Sequence, residues 1–189
     1  MRTIPLRVFI SSALLAVGSL ACNIGLGGPT PPASPIAVST EAAGQLEDII
    51  TQAIGNAENG EVTVVVTEEQ LTSYFALKMA EDPDSPFKDV QIFLRDGQII
   101  VHTNATLQGI TAPAEIRLDV TTSAEGELDV NVADADFGPM PVPASMLETL
   151  SAALDEALSG QFGPRATGVR ITNVVVADGQ MTLTGNANQ

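Results

Sequence analysis

Three stretches of this chain alternate apolar and polar residues with a period of two, and each folds back on itself at a turn signal. Asp96-Gly97 is a two-residue hairpin turn that pairs Leu94 with Ile99 and Ile92 with Val101. Those four aliphatic residues then share one face. Gln91, Arg95, Gln98 and His102 fall on the other, with Phe93 and Ile100 as exceptions. Asp178-Gly179 repeats the design, setting Val176 opposite Met181 and Val174 opposite Leu183. Between them, a turn around Ala124-Glu125-Gly126 predicts that Val120 pairs with Leu128, Leu118 with Val130 and Ile116 with Val132. The apolar parity then switches from Leu128, Val130 and Val132 to Ala133, Ala135 and Phe137, which predicts a bulge near Ala133. Alternation of this kind means one wetted and one covered face. The two Asp-Gly-Gln hairpins resemble each other in pattern, either as an internal repeat or, the reading favoured here, because two hairpins sharing one turn chemistry look alike by chance.

The helical period appears three times. Ser39 or Thr40 can cap a helix to about Asn56, with Ala42, Leu46, Ile49, Ile50, Ala53 and Ile54 on one face. The β-branched run Val62 to Val66 is a strand. Thr67-Glu68-Glu69-Gln70 follows as a capping box, opening a helix to about Ala80 with Leu71, Tyr74, Phe75 and Lys78 on one side. After Phe137-Gly138-Pro139-Met140-Pro141-Val142-Pro143, a third helix runs from about 144 to 159. Leu147, Leu150, Leu154 and Leu158 form its stripe, and Gly160 and Gly163-Pro164 end it.

The amino-terminal residues follow none of these periods. Arg2 and Arg7 precede a short apolar run from Val8 to Leu20, and Ser19-Leu20-Ala21-Cys22 sets the only cysteine after a small residue. This is the layout of an export signal, and it resembles a bacterial lipoprotein signal in which Cys22 receives lipid after cleavage. Ser19 stands where such signals carry Leu, Val or Ile, so ordinary cleavage or an uncleaved anchor stays open. The run is shorter than the about 20 residues of a membrane span. Residues 22–38 are dense in Gly and Pro and read as a tether. The division is therefore signal 1–21, tether 22–38 and a single domain 39–189, placed outside the cytoplasm and lipid-anchored at a cell membrane.

Charge changes the picture in one respect. The whole chain carries −15, from 23 acidic and 8 basic residues. Losing Arg2 and Arg7 with the signal takes it from −15 to −17. Such a surface repels nucleic acid and anionic headgroups at long range, so no nucleic-acid partner is expected. Aromatic residues are 4% of the chain and Trp is absent, which leaves no stacking platform for bases. A lone cysteine provides no internal disulfide.

Catalysis finds little support. His102 is the sole histidine, and strand parity makes it an exposed residue beside Gln98 and Asn104 rather than a general base. Without a second His or a free Cys, neither a His-dependent triad nor a zinc site assembles. The acidic run Asp129 to Asp136 suggests Ca²⁺ ligands, but alternation sends neighbours to opposite faces, and it reads as a solvated strand. No enzyme activity, metal or cofactor is expected.

An antiparallel sheet with one aliphatic face must be covered. The expected fold is therefore α+β, a curved antiparallel sheet of hairpins wrapped around or packed on the long amphipathic 144–159 helix, with shorter helices added. If that helix does not fill the curve, an aliphatic groove remains that suits an acyl chain. The order of elements, carried by Thr67 to Leu71, Val90 to Val101, Phe137 to Leu150 and Val169 to Leu183, resembles the LmeA-like and YpmS-like exported proteins related to the tubular lipid-binding (TULIP) superfamily. The resemblance covers roughly residues 61–185 and implies binding of a phospholipid or related acyl ligand, with no catalytic residues to carry over. The chain is shorter than a full tubular module. Groove candidates are Leu118 and Val130 on the sheet, Met140 and Val142 in the proline loop, and Leu147, Leu150 and Leu154 on the helix. The competing expectation is a non-enzymatic envelope lipoprotein whose sheet and helix close with no cavity and whose acidic exterior meets a protein partner.

Overall fold

The computed structural model describes residues 28–55, 60–107, 109–138, 147–148, 151 and 168–187. Helix α1 (Thr40–Gly55) leads to strand β1 (Glu61–Thr67) and helix α2 (Glu68–Glu81). Then come β2 (Phe87–Arg95), β3 (Gln98–Leu107), β4 (Ile110–Thr122), β5 (Leu128–Asp136), β6 (Val169–Ala177) and β7 (Gln180–Ala187). The class is α+β, with all strand pairs antiparallel.

The strands form two sheets rather than one curved ribbon, a three-stranded β1-β7-β6 and a four-stranded β2-β3-β4-β5. Their inner faces share one core, which includes Val64 and Met181 from the first sheet and Leu94, Ile116 and Leu128 from the second. The chain divides because β1 pairs with β7, along Val62↔Gly185 to Thr67↔Gln180, instead of with its sequence neighbour β2. Helix α2 stands between β1 and β2 and prevents that pairing. The two sheets are also joined where Ile171 N donates to Gly126 O at 2.9 Å. Gly126 has φ +81°, and a Cβ there would lie 2.9 Å from the Arg170 Cβ, so the junction needs glycine.

Both Asp-Gly hairpins have the expected register. Asp96 and Gly97 both take positive φ, as a type I′ turn requires. The middle hairpin differs from expectation. Val120 pairs with Val130, Leu118 with Val132 and Ile116 with Ala135. The reason is that the turn centres on Glu125 rather than Ala124, closed by Ser123 N donating to Glu127 O at 2.9 Å and by Glu127 N donating to Ser123 Oγ at 3.2 Å. The bulge is where parity put it, because Ala133 is skipped between Arg117↔Asp134 and Leu118↔Val132.

The long 144–159 helix lies largely outside the described residues. Leu147, Glu148 and Ser151 are described, and they are helical. Ser151 Oγ accepts the Val132 amide at 3.1 Å, on the side of β5 away from β4.

Helix α2 starts at the expected capping box, with Thr67 Oγ1 accepting from Gln70 N and Gln70 Oε1 accepting from Thr67 N. Its first turns then occupy the free edge of β2. Glu68 Oε1 accepts the Leu94 amide at 2.6 Å. Thr72 Oγ1 accepts the Ile92 amide at 2.9 Å and donates to Ile92 O at 3.2 Å. Glu68 also holds the Arg95 guanidinium. Thr72 and Ser73 are buried polar residues that helical periodicity alone does not explain. Thr72 seals a strand edge, and Ser73 Oγ accepts the Ser39 amide at 3.1 Å. Thr72→Val keeps the shape but orphans the Ile92 amide, so it should lower unfolding free energy by about 1–3 kcal/mol. Thr63→Val, on the exposed face of β1, should change it little; paired urea titrations separate the two.

Candidate apolar groove

Leu71, Phe75 and Met79 recur every four residues on α2 and face the inner surface of the four-stranded sheet. Between them lies a half-open cavity of about 80 Å³. Its other walls are Phe87, Val90 and Ile92 of β2, Ile99, Val101 and Thr103 of β3, and Ile116, Leu118 and Val120 of β4. Leu128 of β5 and Met181 of β7 complete it. The strand alternation supplies these residues, since each strand sends every second side chain to the same face. Thr103 brings the one hydroxyl, and it donates to Lys88 O at 2.8 Å. The lining is therefore aliphatic, aromatic and thioether surface with its polar atom already engaged.

This space is open enough to admit water-sized molecules. The interior is neither packed solid nor an open tunnel. The walls that can give are Phe75, Met79 and Phe87, all half-buried, and Met79 turns about three side-chain bonds.

Of the residues expected to line a groove, Leu118 is on this wall. Val130 is buried in the same core, opposite Val120, and is not part of the wall. Leu147 is half-buried on helical backbone and is likewise not part of it. Met140, Val142, Leu150 and Leu154 lie outside the described residues, as does Cys22. The helical period sets Leu71 and Phe75 on one side of α2 together with Tyr74 and Lys78, a reading that does not include Met79.

The family follows from a profile match over residues 33–186, described as LmeA-like phospholipid-binding. The chain belongs to this family. No curated protein matches the chain. The LmeA-like match reaches further than the resemblance read from the sequence, taking in α1 and the end of the Gly/Pro-rich segment. Among the described residues, no group of three or more His, Cys, Asp or Glu side chains could hold a metal ion. No described helix is long and apolar enough to cross a membrane.

The opposite face of the four-stranded sheet corrects one expectation. Residues 28–38 run across it, and Gln91 clamps them, its Oε1 accepting Ile36 N at 2.6 Å and its Nε2 donating to Ile36 O at 3.2 Å. Pro29, Pro31, Pro32 and Pro35 thus form one wall of a second cleft of about 280 Å³, with Asp89, Gln91, His102 and Asn104 among its other walls. His102 is consequently only 18% exposed. Its ring meets Phe93 edge-on, and Nδ1 lies 3.8 Å from Glu115 Oε2.

Burial lowers the His102 pKa below its ordinary 6.5. Glu115 opposes that shift and Arg117 reinforces it. A depressed histidine pKa means the unfolded chain takes up the proton first, so this contribution to stability is complete above pH 6.5 and declines as pH falls below it. His102→Gln should flatten the change in urea midpoint between pH 7.5 and pH 5.5. An unchanged slope would remove His102 as its source.

Proposed function

We propose that this protein is exported, held at a membrane by lipid on Cys22, and binds or shuttles a phospholipid or other acyl ligand in the groove between α2 and the four-stranded sheet. The observation that carries the reading is an apolar cavity with no free polar group on its walls, in a domain matched by a phospholipid-binding family. Burying hydrocarbon yields about 0.8 kcal/mol per methylene, so no covalent chemistry is required. An entering tail spreads the groove at Phe75, Met79 and Phe87, and the ligand stabilises the open form. The signal and the −15 charge support an extracytoplasmic, tethered protein, because an acidic domain has no electrostatic means of staying near an anionic membrane.

Native mass spectrometry of the delipidated, signal-free protein offered envelope lipids tests the reading. A retained lipid of defined mass is expected. Retention of none, with a stoichiometric protein partner recovered from membranes, would favour the closed scaffold instead. Val101→Phe places extra carbon in the cavity and should reduce lipid retention at least tenfold while leaving the melting temperature unchanged or raised. Cys22→Ser should release the protein from the membrane fraction into the soluble one, as fractionation and immunoblotting would record.

A further inference from the structure

Strand β1 leaves one side of its backbone without a partner. Glu68 N donates to Gly179 O and Ala187 N donates to Gly60 O. In an antiparallel ladder the bonded pairs alternate, so Val62, Val64 and Val66 bond β7, while Glu61, Thr63, Val65 and Thr67 turn their amides and carbonyls away from it. Thr67 gives its outward amide to Gln70 Oε1. Among the described residues, no hydrogen bond reaches the outward groups of Glu61, Thr63 and Val65. Helix α1 meets β1 through the buried face, where Leu46 shares a core with Val62, Val64 and Val66. The other edges differ: β2 is stopped by Glu68 and Thr72, β5 meets Ser151, and β6 meets Gly126.

Edge strands stay single by carrying a charge, a proline or a bulge, or by being covered. Strand β1 is regular against β7 from Glu61 to Thr67, and its one charge, Glu61, stands at the end. Val62 to Val66 is β-branched throughout, which favours an extended backbone. The exposed face has the same character across the sheet. Val65, Thr182 and Val175 form one row and Thr63, Thr184 and Asn173 the next, none of them charged. Val65 and Val175 are exposed large hydrophobics, at 43% and 49%.

The open positions 61, 63 and 65 are their own complement. We propose that β1 pairs antiparallel with β1 of a second copy, Thr63 opposite Thr63 and Glu61 opposite Val65, joining two three-stranded sheets edge to edge. Residues opposite one another share a face. The exposed row therefore continues as an exposed row, and Val62 and Val64 continue the buried one. Each Glu61 meets a valine rather than a second carboxylate. The occupied edges of β2, β5 and β6 end the assembly at two copies, a closed two-fold pair. Two chains of charge −15 repel each other at long range, so added salt strengthens the pairing. The pairing does not depend on the lipid-binding reading.

Thr63→Cys sets a thiol opposite its own copy, with Cα atoms about 5.5 Å apart, inside the range a disulfide spans. Purified full-length protein carrying Thr63→Cys or, separately, Val175→Cys would be oxidised with copper phenanthroline. Val175 lies on the same exposed face but on β6, away from the open edge, and the unsubstituted chain, with Cys22 alone, gives the background. The expected result is a disulfide-linked dimer at Thr63→Cys, roughly tenfold above Val175→Cys and rising with salt. Adding Val65→Pro removes an outward amide and spares the ladder to β7, so it should lower that dimer by about tenfold. Equal cross-linking at both sites, none at Thr63→Cys, a dimer that weakens with salt, or one indifferent to Val65→Pro overturns the pairing.

Discussion

The free edge of β2 is the constraint on which the rest of the structure depends. A four-stranded sheet ends in a row of backbone donors and acceptors, and here α2 satisfies them through side chains one helical turn apart. Glu68 takes the Leu94 amide, and Thr72 takes both the amide and the carbonyl of Ile92. Because the helix is held at that edge, its Leu71-Phe75-Met79 stripe lies over the inner face at a fixed height. The groove is the space left by that height. The same anchoring keeps β1 from β2 and sends it to β7, so the division into two sheets has one cause.

The Glu68 carboxylate serves several partners. It sits in the first turn of α2, where the helix dipole favours an acid, and it bonds the Leu94 amide and the Arg95 guanidinium, which also packs over the Phe93 ring. Glu68 N donates to Gly179 O at 3.2 Å, and Gly179 N donates to Leu94 O at 3.0 Å. One corner thus joins the helix start, the β2–β3 hairpin and the β6–β7 turn. Among the described residues, no buried side-chain polar atom lacks a partner.

Local chemistry was legible in the sequence wherever it is decided by neighbours along the chain. The Asp96-Gly97 turn, the Thr67–Gln70 box and the bulge at Ala133 depend on a few adjacent residues, and all three stand as read. The β4–β5 register differs because Ser123 and Glu127 bond each other and so centre the turn on Glu125, one residue beyond the centre that the aliphatic pairing implied. Thr72 and Ser73 were illegible, because a polar residue on a helix reads as exposed until a strand edge is brought to it. The cover over His102 was hidden for a related reason. Proline and glycine density excludes regular structure, but it does not exclude a segment lying flat on a sheet. Strand parity puts Leu118 on the covered face, where the cavity lies, whereas the wall opposite it comes from α2.

Sealing the rims of the four-stranded sheet has a consequence beyond the single molecule. Unpaired β edges invite neighbouring copies to add strands and polymerise. At β2 the stopper is Thr72 with Glu68, and at β5 the Ser151 hydroxyl occupies the Val132 amide. A hydroxyl and a carboxylate end the ladder where another backbone would extend it. These small polar groups therefore also act as insulation between identical molecules, a duty separate from holding any one of them together.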